Sequence, residues 1–471
     1  MDIRAPRARD AKREMTPDMS TTAADTGNSE ALERDARVVH STHHDVRPGE
    51  IAIGVIIGRT TEFFDFFVFA IASVLVFPAF VFPYLDPVEG TLASFALFSL
   101  AFFGRPLGTF LFTYIDQNHG RGVKLTIALF LLGGSTMAIA LLPSHAQVGA
   151  ASAWLLGLFR LLQGVALGGA WDGLPSLLAL TASKEKRGWY SMIPQLGAPL
   201  GLALACALFA YFLALLETAD FLRWGWRYPF FVALALNVVA LFARLRIVAT
   251  PEFKRLFDNR ELQPSPPFET LFAEWRVILL GAFAPLASFA LFHLVAVFPL
   301  SYNQLFTTES PVRFLIFEGI GALVCVVAIL LSGVLADKVG RRAVLGVSAA
   351  LIGTFCFAPI MLSFGQFGEA LYLLLGFVLL GLSFGQAAGA VNSSFRQQYR
   401  YTGAAIVSNS AWFIGAGFAP FVALWLTANF GLWSVGLYLL SGVVCTLGAL
   451  AINREWGQRD QGTSDEPVIA D

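Results

Sequence analysis

The chain reads as an all-α polytopic membrane protein with about twelve transmembrane helices in two six-helix bundles, and three observations predict it. Of 471 residues, 56% are hydrophobic and only 14% charged, and the mean hydropathy is +0.65. A large soluble domain with an ordinary charged surface is therefore excluded. Apolar stretches of about 20 to 30 residues, long enough to cross the hydrocarbon core as helices, recur along the chain. The longest charged interruption among them falls after the sixth.

In chain order, residues 1–50 are polar and mixed in charge, with Arg4, Arg7, Arg9, Lys12 and Arg13 near the start. They read as a disordered tail and not as a secretory signal, which needs an apolar core and a small-residue cleavage site. His43 and His44 within it read as solvated side chains, not as a metal pair. Apolar spans then run roughly over 51–82, 91–115, 123–142, 151–182, 188–215 and 228–247. After a linker at 248–274 they resume at 275–305, 312–335, 343–363, 369–395, 403–427 and 432–452, followed by a tail at 453–471. Pro78 and Pro83 interrupt the first span, and Pro285 and Pro299 the seventh. The bundles expected are thus 51–247 and 275–452.

Loop charge predicts orientation. With the first tail in the cytoplasm, Arg121, Lys124, Lys184, Lys186, Arg187, Lys254, Arg255, Arg260, Lys338, Arg341, Arg342, Arg396 and Arg400 all fall inside. The opposite loops hold only Arg223, Arg227 and Arg313 among several acids. This positive-inside bias predicts that both termini are cytoplasmic. Duplication supports two halves: Asp116-Gln-Asn-His-Gly-Arg121 follows span two, and Gly333-Val-Leu-Ala-Asp-Lys-Val-Gly-Arg-Arg342 follows span eight. Asp116, Arg121, Asp337, Lys338, Arg341 and Arg342 are the gating candidates.

Within span one, Gly58-Arg-Thr-Thr-Glu-Phe-Phe-Asp-Phe66 places Arg59, Glu62 and Asp65 at spacings of three, so they form one stripe on a helix. Ionisable groups in hydrocarbon are costly unless paired or beside a hydrated path, which marks the stripe as a permeation route. Glu62 and Asp65 are the proton-coupling candidates, because desolvation and a like-charged neighbour both favour a bound proton. In the second half the deep polar residues are His293, Tyr302, Asn303, Gln304, Glu318, Gln386, Asn392 and Asn409. His293 and Asn409 are the substrate-contact candidates there. The net charge of −1 gives no sign of nucleic-acid binding, and the four cysteines lie in apolar runs without disulfide or metal spacing. No nucleophile with a base and no phosphate-cradling loop appears in a cytoplasmic segment, so neither enzyme activity nor a cofactor is expected.

These loops resemble those of the major facilitator superfamily. Gly104-Arg-Pro-Leu-Gly108, Arg160-Leu-Leu-Gln-Gly164, Gly168-Gly-Ala-Trp171, Pro194-Gln-Leu-Gly-Ala-Pro-Leu-Gly201, Trp224-Gly-Trp-Arg-Tyr-Pro-Phe230, Thr250-Pro-Glu-Phe253 and Arg400-Tyr-Thr-Gly-Ala-Ala405 are similar to its metabolite:proton symporter family. That family includes permeases for α-ketoglutarate, citrate, shikimate and proline or betaine. The resemblance implies proton-driven uptake of a small metabolite across a bacterial inner membrane by alternating access, through a chain acting as a monomer. It also implies that spans one and four line the cavity, which adds Asp172 as a proton-coupling candidate and Arg59, Arg105 and Arg160 as substrate contacts.

The chain departs from the family pattern at three places. Arg59, Phe63 and Phe64 stand where Asn, Trp and another aromatic are usual. Ala170 and Asp172 replace a Glu and a Gly. Asp116-Gln117 lacks the usual Asp-Arg pair, which makes the first gate loop the weaker copy. Arg59 and Asp172 add opposite charges at estimated depths only about 4 Å apart, and an ion pair between them is expected. Arg59 favours a carboxylate substrate. Phe63, Phe64 and Trp171 suit a zwitterion such as a betaine as the alternative, and a non-transporting sensor is the third possibility.

Overall fold

A computed structural model describes residues 48–170, 186–248, 264–387 and 395–462. The sequence expectations for the first tail, Trp171, Asp172, Lys184, Lys254, Arg255, Arg260 and Asn392 lie outside the described residues. All regular structure among the described residues is helical.

The first half contains α1 (Pro48–Leu75), α2 (Pro87–His119), α3 (Arg121–Ala140), α4 (Ala151–Gly169), α5 (Gly197–Leu215) and α6 (Arg227–Val248). The second contains α7 (Trp275–Phe306), α8 (Pro311–Val339), α9 (Arg341–Phe355), α10 (Gly365–Ala387), α11 (Arg400–Phe430) and α12 (Val435–Gly462). Ten described helices are long and apolar enough to cross a membrane. The other two expected spans are also helical. They are α1, which holds the three ionisable residues, and α9, which continues past 15 residues as the 3-10 turn Ala358–Ser363.

Proline breaks fall where the sequence places them. Helix α1 gives way to the short helix Phe77–Phe80 around Pro78. Helix α7 is in three pieces, Trp275–Phe283, Leu286–Ala296 and Phe298–Phe306, parted at Pro285 and just before Pro299. A proline ring removes one backbone donor and collides with the preceding turn, so each break follows from covalent geometry.

Packing repeats with a six-helix offset. Helix α1 packs on α5 and α6, α2 on α4, and α3 on α4 and α6; likewise α7 packs on α11 and α12, α8 on α10, and α9 on α10 and α12. The halves meet where α5 lies on α8 and α11 on α2. The duplicated loops also match in backbone: Gly120 and Gly340 close α2 and α8 with φ of 83° and 87°, values open to glycine at little cost.

Close backbone approach fixes the site's neighbours. A Cβ on Gly108 would lie 2.0 Å from the Val165 carbonyl oxygen, and one on Gly164 would lie 2.1 Å from that of Ala101, so α2 and α4 touch main chain to main chain. Gly197 and Gly201 do the same for α5 against Arg59, Thr60 and Phe64 of α1. The outward faces carry exposed apolar residues such as Trp154, Phe357 and Phe367, as a lipid-facing surface requires.

Candidate functional site

The middle of the molecule, between the halves, is filled by rings. Phe63, Phe66 and Phe67 of α1, Phe102 of α2, Phe289 and Phe292 of α7, Phe384 of α10 and Trp412 of α11 pack with centroids 4.6 to 6.5 Å apart. Against this cluster lies a small space of about 10 Å³, lined by Arg59, Glu62, Phe63, Phe66, Arg105 and Trp412. Arg59 donates from Nη1 to Glu62 Oε2 at 2.6 Å and stands over the Phe63 ring. The guanidinium of Arg105 lies over Trp412 and Phe102, close enough to Arg59 and Glu62 to act on both electrostatically.

The stripe on α1 divides at this level, which corrects the expectation of a single polar line. Asp65 turns away from Glu62 toward α3 and α4. It accepts from Thr136 Oγ1 at 2.8 and 2.9 Å and from Gln163 Nε2 at 3.3 Å. Gln163 in turn accepts from Arg160 Nη1 at 3.0 Å. The three-residue spacing keeps Glu62 and Asp65 on one side of α1, but that side is wide enough to face two different neighbours.

Arg160 is enclosed by protein. It is 1% exposed near the middle of α4, donates from Nε to the Phe98 carbonyl at 3.2 Å, and is boxed by Phe66, Phe69 and Phe98. A guanidinium fits this box because its planar faces take aromatic rings while its edge donates hydrogen bonds.

His293 lies at the ring cluster, fully buried, stacked on Phe66 at 5.4 Å with both ring nitrogens lacking a hydrogen-bond partner among the described residues. Asn409, expected to meet substrate, instead donates to Thr109 Oγ1 at 2.7 Å across the halves. The ionic partner of Arg59 among the described residues is Glu62.

At the end bearing Gly120 and Gly340, here the loop end, the halves interlock. Asp337 accepts from Gly188 N at 2.7 Å and Trp189 N at 3.2 Å, and Arg341 donates to Ser191 Oγ. The first loop also holds buried ion pairs. Buried Asp116 pairs with Lys124 at 3.2 Å and Arg121 at 3.5 Å, Lys124 donates to Tyr401 Oη at 3.0 Å, and Arg121 lies over the Tyr401 ring. Lys124 restores the charge missing at Gln117 from eight residues past Asp116. Arg342 bonds the Leu450 carbonyl within its own half, and Lys338 is exposed.

Lys124 and Tyr401 stand out in sequence only as a loop cation and one letter of a family string. Trp412 carries no polar signal, so its place at the centre was not legible.

Two repeated six-helix halves, locked together at one end and closed over ionisable and aromatic residues at the centre, define a polytopic membrane transporter. Residues 60–412 match the Major Facilitator Superfamily, and the chain belongs to it. It is similar to the inner membrane metabolite transport protein YhjE of Escherichia coli K12, with 35% identity over 86% of this chain and 94% of that protein. It is also similar to the shikimate transporter of the same organism, with 30% identity over 86% and 93%, and to the proline/betaine transporter of Salmonella typhimurium, with 29% over 79% and 76%. Among solved structures, the xylose transporter XylE from E. coli, partially occluded and inward open, superposes with a TM-score of 0.66 at 16% identity over 87% of this chain and 97% of that one. That likeness bears on the fold.

Proposed function

We propose that this transporter is a proton-coupled symporter of a small organic acid, working as a monomer by alternating access in a bacterial inner membrane with both termini cytoplasmic. One observation carries the substrate class: Arg59 and Arg105 converge with a single carboxylate, Glu62, on the ring-lined central space. Among the described residues that lining holds more positive than negative charge. A substrate carboxylate entering there gains charge-assisted contacts that Glu62 alone does not saturate. The interlocked loop end supports the alternating-access part, since bonds made in one state and lost in another are what bias such an equilibrium.

Proton coupling is assigned to Glu62 and Asp65, which lie in separate surroundings on the same helix. Exchange of partners supplies the link: a substrate carboxylate that takes over Arg59 draws away the cation 2.6 Å from Glu62, and loss of an opposite charge favours binding a proton. His293, with two ring nitrogens without hydrogen-bond partners among the described residues and stacked on Phe66, is the described second-half group best set to meet a substrate hydroxyl or carboxylate when the rings part.

The rings favour a second reading, uptake of a zwitterion such as a betaine, because Phe63, Phe66 and Trp412 offer faces to a quaternary amine beside Glu62. Relatives named for shikimate and for proline and betaine are compatible with either. The test is uptake into proteoliposomes of labelled hydroxy acids, dicarboxylates and betaines, with and without an inward proton gradient. Gradient-driven accumulation of an acid, lost in Arg59→Asn, supports the first reading. Accumulation of betaines alone replaces it with the second, and specific binding without flux would make the protein a sensor.

A further inference from the structure

A second buried carboxyl, far from the span-one pair in sequence, lies where the two halves meet. Glu318 of α8 is fully buried against α5, where Cys206 Sγ lies 3.6 Å from Glu318 Oε2. Glu318 Oε1 has no partner among the described residues. One thiol is a weak donor and cannot hold a carboxylate charge in a dry helix seam, where an unpaired ion costs several kcal/mol.

Polar side chains join this point to the end opposite the loops. Gln366 donates to Glu309 at 3.0 Å, Glu309 pairs with Arg313 at 3.1 Å, and Arg313 reaches Glu369 at 3.4 Å. Glu369 accepts from buried Asn303 at 3.0 Å and is close enough to act electrostatically on Glu318. Side-chain exposure falls along this line, from 27% at Glu309 to 5% at Glu369, while Glu318 as a whole residue is 0% exposed. Among the described residues Asn303 Oδ1 and two nitrogens of Arg313 also lack hydrogen-bond partners, leaving donors and acceptors open along it.

We propose that Glu318 is a further proton-carrying carboxyl, loaded through Glu309, Glu369 and Asn303, and that its proton keeps the seam between α5 and α8 shut. The proposal rests on the symport reading above. The step is one proton onto one carboxylate: Glu318 becomes neutral, Cys206 keeps its S–H, and the proton leaves when the seam opens. The described titratable groups that act on Glu318 are Cys206 from α5 and Glu369 from α10, and Glu369 is in turn paired with Arg313, which also holds Glu309. Arg341 of α9 is engaged at the loop end, and Tyr372 of α10 bonds Leu294 of α7.

Cys206 supplies the readout. In protein with Cys325, Cys356 and Cys445 changed to alanine, the rate of Cys206 alkylation by a permeant maleimide is measured in proteoliposomes without substrate or gradient, beside the same protein carrying Glu318→Gln. A carboxylate beside a thiol opposes its ionisation, so thiol chemistry alone would make the parent slower than the variant at high pH, and a faster parent reports opening of the seam. The ratio of parent to variant is expected near one at about pH 6 and about tenfold at pH 9, because only the parent gains a charge in the seam. An unchanged ratio overturns the proposal. Should Glu318→Gln fail to insert, Glu369→Gln takes its place. Losing that negative neighbour must move the onset of fast labelling in the parent to lower pH, and an unmoved onset overturns the proposal equally. Uptake that ignores the proton gradient in the parent overturns the symport reading itself, whatever Cys206 does.

Discussion

Asp337 at the end of α8 accepts the backbone N–H groups of both Gly188 and Trp189, so a carboxylate of the second half holds the chain leading into α5 of the first. The loop before α3 reaches the opposite way by side chain, from Lys124 to Tyr401 Oη. Both loops cross the boundary at the same end. These contacts belong to the state in which that end is closed, and they define what must break for it to open.

Replacing Asp337 by alanine is therefore expected to shift the conformational balance while leaving the central site untouched. Two charge-assisted hydrogen bonds are lost, and at about 1.5 to 3 kcal/mol each the closed state weakens by tenfold or more. Turnover should fall with substrate affinity changed by less than about threefold, as read from equilibrium binding beside initial uptake rates. A change confined to affinity would place Asp337 in recognition.

The other loop allows a cycle of variants. Tyr401→Phe removes one hydrogen bond and keeps the ring under Arg121, so a loss of about 1 kcal/mol is expected. Lys124→Met removes a buried cation from Asp116 and should cost more, up to about 3 to 5 kcal/mol, tempered because Arg121 still serves the carboxylate. The double variant should match Lys124→Met alone to within a few tenths, since the tyrosine hydroxyl acts through the lysine. Thermal unfolding in detergent measures all three.

Helix count, the proline breaks, the duplicated loops and the charged patch on α1 were legible because hydropathy, missing donors and repeated charge are local signals. Partner choice was not. Glu62 and Asp65 share a spacing and part company in three dimensions, Asn409 is spent on Thr109, and Arg160 is enclosed by rings from α1 and α2 that are distant in sequence. Glu318 and Glu369 read as one deep acid and one loop acid, and only packing brings them near each other. Such facts depend on which faces of helices meet, and periodicity alone leaves that open.

Backbone contact between α2 and α4 makes a sharp steric test. Gly108→Ala and Gly164→Ala each push a methyl group to about 2 Å from a facing carbonyl oxygen, so the helices must separate. Overpacking of this kind costs about 1 to 3 kcal/mol or more, and both variants should lose folded protein in thermal melts. Gly134→Ala, with open space around it on α3, should melt within about 0.5 kcal/mol of the parent.

The two carboxylates of α1 should respond in opposite ways to neutralisation. Glu62 faces the central space beside Arg59 and Arg105, so Glu62→Gln leaves the surrounding helices packed and removes a proton acceptor. Stability is expected to hold within about 1 kcal/mol, with gradient-driven accumulation lost and substrate exchange retained. Asp65 is 2% exposed and is joined to enclosed Arg160 through Gln163. Asp65→Asn removes the counter-charge that reaches Arg160 through Gln163 and leaves the guanidinium among Phe66, Phe69 and Phe98, a loss expected to stay below the about 3 to 5 kcal/mol of a broken direct pair. The variant should thus melt below the parent, and adding Arg160→Gln should recover much of the loss, because the neutral pair no longer buries a lone charge. If Asp65→Asn melts with the parent and Arg160→Gln adds only its own cost, the two groups are independent, and Asp65 serves the proton without holding Arg160.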